Sequence, residues 1–140
     1  MTKTVEFFYD FGSPTVYLAA TQLPGIADRL VQRLIGDRFT GGVFKSTGNQ
    51  SPVVVSAKAA YMNDDLERFR NAMVCRSDLT TLPDQYLALM RGAVAYQDDA
   101  VFINYRDAVF AAIWVDACNL NEPEVFLGPV LTGLGWTLWT

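Results

Sequence analysis

The 140-residue chain is 51% apolar and 19% charged with a formal net charge of −4, the balance of an ordered globular domain and not of a disordered one. Eleven Lys and Arg spread among fifteen acids leave no basic stripe, which argues against nucleic acid as a partner. Histidine is absent, which removes Ser-His-Asp and Cys-His nucleophile pairs and His-based metal sites.

A chain of this length buries roughly 68–70% of its unfolded surface, and aromatic residues at 13% supply a dense core or an apolar cleft. No stretch reaches the ~20 apolar residues of a membrane span. Met1-Thr2-Lys3-Thr4-Val5-Glu6 puts an acid where a signal peptide needs its apolar core, which points to the cytoplasm. The two cysteines, Cys75 and Cys118, lie far apart and form no C-x-x-C pair, so reduced or buried thiols are expected.

In chain order, Val5 to Phe11 is aromatic and β-branched and predicts a strand. Gly12-Ser13-Pro14 breaks it. Ser13 suits an N-cap and Pro14 the first helical position, where no N–H is needed. The helix should run through Val16, Tyr17, Ala20 and Leu23 and kink at Pro24-Gly25. Ile26, Leu30 and Leu34 would then resume its apolar face. Over 33–44 a short second strand fits a β-α-β start, although Gly36 and the charged residues weaken the pattern.

Lys45 to Ser51 is a polar loop ending at Pro52. From Ser56 the period becomes helical, with Ala59, Ala60, Met62, Leu66 and Phe69 on one face. Asp64, Asp65, Glu67, Arg68 and Arg70 fall largely on the other. After a turn region at 77–84, helices are expected over about 84–97 and 99–117, and a further one starts at Glu122-Pro123-Glu124. A single β-α-β unit does not close a sheet by itself.

Three groupings carry chemistry. Ser13 stands beside the positive end of a helix, where N–H donors point outward and favour an anion. A thiol of pKa ~8.5 needs ~2.7 kcal/mol to fall by two units. A helix end supplies ~0.3–2 kcal/mol and a hydroxyl bonded to a charged sulfur ~1.5–3 kcal/mol. On spacing alone, an ordinary helix cap remains the simpler account of Ser13. The segment from Gly41 to Pro52, with paired glycines and Asn49, lets backbone approach a ligand closely, or is a plain surface loop. Lys58 follows as a point charge suited to a carboxylate, or as a solvated lysine. Finally, Phe102, Tyr105, Phe110 and Trp114 at helical spacing favour core packing over a pocket wall.

In order, VEFFYDFGSPTVYL at 5–18, GGVFKSTGNQSP at 41–52, AKAAYMNDDLERF at 57–69 and LMRGAVAYQ at 89–97 resemble the 2-hydroxychromene-2-carboxylate isomerase family. These are relatives of the kappa-class glutathione transferases, and the similarity covers about positions 5–125. The resemblance implies an α/β thioredoxin-like fold with an inserted all-helical domain, as in DsbA-type disulfide oxidoreductases. Residues 1–45 would be the N-terminal part of the thioredoxin-like domain and 46–140 the helical insertion.

Where the redox relatives start this helix with a cysteine, Ser13 stands instead. By resemblance Ser13 is the catalytic residue that holds and activates the thiol of glutathione, the implied cofactor, and Asn49 and Lys58 contact the tripeptide. No metal is implied. The implied reaction is a reversible, glutathione-dependent cis–trans isomerisation of a small aromatic carboxylate in naphthalene-like catabolism. The alternatives are a kappa-like glutathione transferase and a truncated non-catalytic binding module of the same fold. Family members are often homodimers.

Residues 31–40 match the family's second strand poorly, and 70–86 lack its usual pattern. The C-terminal strands of the thioredoxin half, its cis-proline turn and its final helix are expected to be absent from these 140 residues. A longer parent protein and a truncated relative both account for that.

Overall fold

A computed structural model of the chain describes residues 4–29, 33–38, 46–73 and 86–120, together with Val125 and Gly128. Two compact units organise it. One comprises Met1–Asp10 and Leu18–Cys75, the other Phe11–Tyr17 and Arg76–Thr140.

In the first unit, β1 (Thr4–Tyr9) and β2 (Arg33–Arg38) pair in parallel, with Thr4 opposite Arg33 and Tyr9 opposite Arg38. Parallel neighbours need a crossover of a dozen or more residues. The 16-residue helix α1 (Pro14–Arg29) lies in that connection. At 1.5 Å per residue it is roughly 24 Å long, enough to carry the chain back along a six-residue strand of about 20 Å. The second strand weakly signalled by the sequence thus forms, over 33–38.

Several expectations shift. β1 ends at Tyr9, two residues early, because Phe11 turns out of the strand. Helix α1 is continuous through Pro24, and Leu34 belongs to β2, opposite Val5, not to the helix. Along α1 Tyr17, Leu18 and Ala27 are buried and Val16, Ala20 and Leu23 partly so, and the stripe Val16, Ala20, Leu23 and Ala27 is spaced four, three and four, the repeat of one helical face. Ile26 falls outside it and is exposed.

The loop before the next helix leaves helical geometry at Gly48, whose φ is 67°, in the left-handed region where a side chain is disfavoured. A single 3-10 turn, Pro52–Val54, then leads into helix α2 (Ser56–Met73). The Val55 carbonyl accepts from the N–H groups of Lys58 and Ala59 and so starts the helical ladder. Of the apolar face expected on α2, Leu66 is buried and Ala59 and Met62 are partly so. Ala60 and Phe69 are exposed. At about 100° per residue, Ala60 lies some 120° and Phe69 some 60° from Leu66, so the shielded stripe is narrow. Arg68 pairs with Asp65 at 3.1 Å and Arg70 with Glu67 at 2.6 Å on the solvated side, worth about 0.2–0.5 kcal/mol each.

In the second unit, helices α3 (Tyr86–Ala95) and α4 (Phe102–Trp114) form a hairpin. Both are shorter than expected. Asp99 explains the later start of α4: its carboxylate accepts from the Val101 N–H at 3.0 Å and its carbonyl from the Phe102 N–H at 3.1 Å. Residues 99–101 are therefore consumed in a turn that starts the helix. Helix α4 buries Phe102, Tyr105, Arg106, Val109, Phe110, Ala112, Ile113 and Trp114. Burial on most sides is the mark of a core helix. The aromatic series thus packs in the core. Arg106 is anchored by Asp107, whose Oδ1 accepts from Nε at 2.8 Å and pairs with Nη2 at 2.7 Å.

The turn region at 77–84 and the tail from Gly135 lie outside the described residues. So does the expected helix at Glu122, apart from helical Val125 and Gly128. Among the described residues, no helix is long and apolar enough to cross a membrane.

The α3–α4 contact turns on one glycine. The Tyr105 hydroxyl donates to the Leu89 carbonyl at 2.7 Å, and this places the tyrosine over Gly92. A Cβ at residue 92 would overlap the hydroxyl oxygen and stand 2.7 Å from Cζ. Gly92→Ala should therefore destabilise the protein by about 1–3 kcal/mol, measured by urea unfolding. In a Tyr105→Phe background, which itself costs about 1 kcal/mol, the added cost of Gly92→Ala should be smaller. Equal costs in both backgrounds would show that the hydroxyl does not set this approach.

Candidate functional site

The turn from β1 into α1 is fixed from the helical unit. Phe11 is completely buried. Its ring meets Phe110 edge-on at 5.0 Å between centroids and Tyr105 at 6.3 Å. Its carbonyl accepts from the Trp114 indole N–H at 3.1 Å. This bond pairs a buried backbone acceptor with a buried side-chain donor, a typical net worth of about 0.5–1.5 kcal/mol. Tyr17, one turn into α1, touches the same Phe110 ring, with 5.9 Å between centroids. The start of α1 is thus held at Phe11 and at Tyr17, with Ser13 between them.

Ser13 is the residue before α1, followed by Pro14 at the first helical position. Its carbonyl accepts the first helical bond, from the Tyr17 N–H at 3.1 Å. The residue is partly exposed, and its hydroxyl lies 2.8 Å from Thr15 Oγ1. The Val16 N–H reaches Ser13 Oγ only at 3.4 Å, longer than the usual 2.7–3.2 Å of an N–H···O bond. The capping bond is weak and the hydroxyl–hydroxyl bond strong. No acidic residue occupies the first turn of α1, so the partial positive charge of the helix end is not answered by its own sequence.

Asn49 and Lys58 lie in the other compact unit, and each is described there. Asn49 is exposed, with its side-chain carbonyl accepting from the Gln50 N–H at 2.9 Å. Its amide donors are left facing solvent. Lys58 is exposed in the first turn of α2, which also lacks an acid. A cation at a helix N-terminus opposes the helix dipole by about 0.3–1 kcal/mol, a cost that an arriving anion would relieve. Among the described residues, Lys58 makes no ion pair. Gly41 and Gly42 fall outside the described residues.

Two residues escaped the sequence reading. Thr15 holds the Ser13 hydroxyl, and the only prior signal was a second hydroxyl two positions on. Trp114 was read as core, but its bond to Phe11, 103 residues away in sequence, has no local signature. Cys118 lies after α4, and Cys75 is outside the described residues. Among the described residues no cluster of three metal-ligating side chains occurs.

A parallel β-α-β start with a polar residue capping its first helix, joined to a helical hairpin, has a counterpart among known proteins. The DSBA-like thioredoxin domain matches residues 4–138. The chain belongs to the DsbA-like thioredoxin family. Its fold is accordingly the expected thioredoxin-like one. Among solved structures, that of selenomethionine-labelled 2-hydroxychromene-2-carboxylate isomerase is similar, with a TM-score of 0.74 and 24% identity. The match covers 96% of this chain and 66% of that one. Among curated proteins none matches the sequence.

The weak cap at the start of this DsbA-like helix gives a direct expectation. Ser13→Ala should cost no more than about 0.5–1 kcal/mol. Trp114→Phe should cost about 1–3 kcal/mol by removing the indole bond to the Phe11 carbonyl. Denaturant midpoints compare the two, and a Ser13 loss exceeding the Trp114 loss would mean that the cap, and not the indole, fixes this turn.

Proposed function

We propose that the protein is a glutathione-dependent isomerase of the 2-hydroxychromene-2-carboxylate type, acting on a small aromatic carboxylate. The reading is carried by one observation: a solvent-reachable serine hydroxyl, only weakly engaged as a cap, begins the first helix of a DsbA-like thioredoxin fold. Disulfide-exchanging relatives put a reactive cysteine there. With an alcohol in its place the protein has no sulfur of its own at the helix start, and the nucleophile has to come from a bound thiol.

Ser13, Asn49 and Lys58 each carry chemistry suited to one part of glutathione. Its thiolate is a soft anion of the kind that Ser13 Oγ–H and the N-terminal N–H groups of α1 favour. Its carboxylates suit an exposed lysine in an acid-free helix turn and the free amide donors of Asn49. Glutathione, when bound, would supply a thiolate able to add reversibly to a conjugated double bond. In this reading Ser13 donates a hydrogen bond to the sulfur and favours its ionised form. The helix end adds to the same field, and Lys58 and Asn49 bind and orient the tripeptide.

Ser13→Ala should keep the fold and lower isomerase turnover by about 10- to 150-fold, the loss of one charge-assisted hydrogen bond. Lys58→Gln should raise the Kd for glutathione by about 1.5- to 5-fold, an exposed ion pair's worth. Calorimetry and a product assay test both. No heat of binding at millimolar glutathione would end this reading, and a glutathione thioether accumulating as product would assign a transferase instead.

A further inference from the structure

A helix-capping serine ordinarily takes its hydrogen bond from an N–H two or three positions on, at about 2.7–3.2 Å. Ser13 does not. Its oxygen is 3.4 Å from the Val16 nitrogen and 2.8 Å from Thr15 Oγ1. Two hydroxyls this close share one proton along the bond, and the other proton points away from the pair. If Ser13 donates to Thr15, its proton is spent inside the pair. If Thr15 donates to Ser13, the proton of Ser13 faces outward, and its O–H is polarised by the bond it accepts. An anion in front of Ser13 selects the second arrangement, since only that one offers it a charge-assisted bond.

The surroundings favour the same direction. A helical threonine hydroxyl commonly turns back to a carbonyl three or four residues earlier, whereas that of Thr15 lies 2.8 Å from Ser13 Oγ. Thr15 is exposed, so core packing does not account for its side chain. Its β-branch restricts χ1 and keeps the hydroxyl where Ser13 meets it.

We infer that Thr15 is a positioning residue for Ser13: it donates its proton to Ser13 Oγ and thereby turns the serine proton toward the bound sulfur. The inference rests on the glutathione reading of Ser13. It also separates two roles of one turn, since Ser13 would touch the sulfur while Thr15 acts only through Ser13.

The test is the titration of glutathione bound to the full chain, followed by the ultraviolet absorbance of its thiolate, in wild type, Thr15→Val and Thr15→Ser. Thr15→Val keeps the β-branch and removes the hydroxyl. It should raise the thiol titration by about 0.4–1 pH unit, the worth of one hydrogen bond, with an unchanged thermal midpoint. Thr15→Ser should stay near wild type. In a Ser13→Ala background, Thr15→Val should produce no further shift.

A lowered titration in wild type that Thr15→Val leaves untouched overturns the role of Thr15 alone. So does Thr15→Ser shifting as far as Thr15→Val, which would trace the effect to the branch and not the hydroxyl. A wild-type protein that binds glutathione with an ordinary thiol titration, or does not bind it, overturns the reading of Ser13 and this inference together.

Discussion

Phe11 is the constraint on which the start of α1 depends. Its ring is sealed against Phe110 and Tyr105 and its carbonyl is tied to Trp114. Side chain and backbone of one residue are thus fixed by the same helix, α4. A turn held only by its own backbone bonds would let Ser13 sample several orientations. Here a partly exposed hydroxyl sits two residues from a wholly buried anchor. Placing a side chain on rigid support lowers the cost of holding its geometry.

Electrostatics in this chain are set by omission as much as by placement. Acids outnumber bases by fifteen to eleven, yet the first turns of α1 and α2 hold none. An aspartate or glutamate at either position would stabilise its helix and repel an incoming anion. Leaving both ends bare gives up a fraction of a kcal/mol of local stability, and Lys58 in the first turn of α2 deepens the effect. The hydroxyl of Ser13 is neutral and adds no competing charge.

Much of this was legible in the residues. The aromatic run of β1, the Ser13-Pro14 helix start and the periods of α2, α3 and α4 all signal their elements, because capping chemistry and side-chain periodicity are local. β2 was barely visible. Arg33-Leu34-Ile35-Gly36-Asp37-Arg38 has charge at both ends and a central glycine. Its strand is held by backbone pairing with β1, which no propensity records. Faces were harder than elements. Phe69 is apolar but sits at the edge of the α2 stripe, and Ala60 well off it. Ser13 was found as a cap candidate. Its real partner, Thr15, was not, since both bonds are short-range and only geometry decides between them. The Phe11–Trp114 bond spans 103 residues, beyond the reach of any local pattern.

The indole that secures Phe11 also gives the molecule an optical handle. The chain has three tryptophans, and Trp114 is the one whose buried N–H bonds to the backbone just ahead of Ser13. A version with phenylalanine at 136 and 139 would carry a single tryptophan, bonded to the carbonyl of Phe11, which lies two residues before Ser13. Its emission would register displacement of this turn directly, with no label attached.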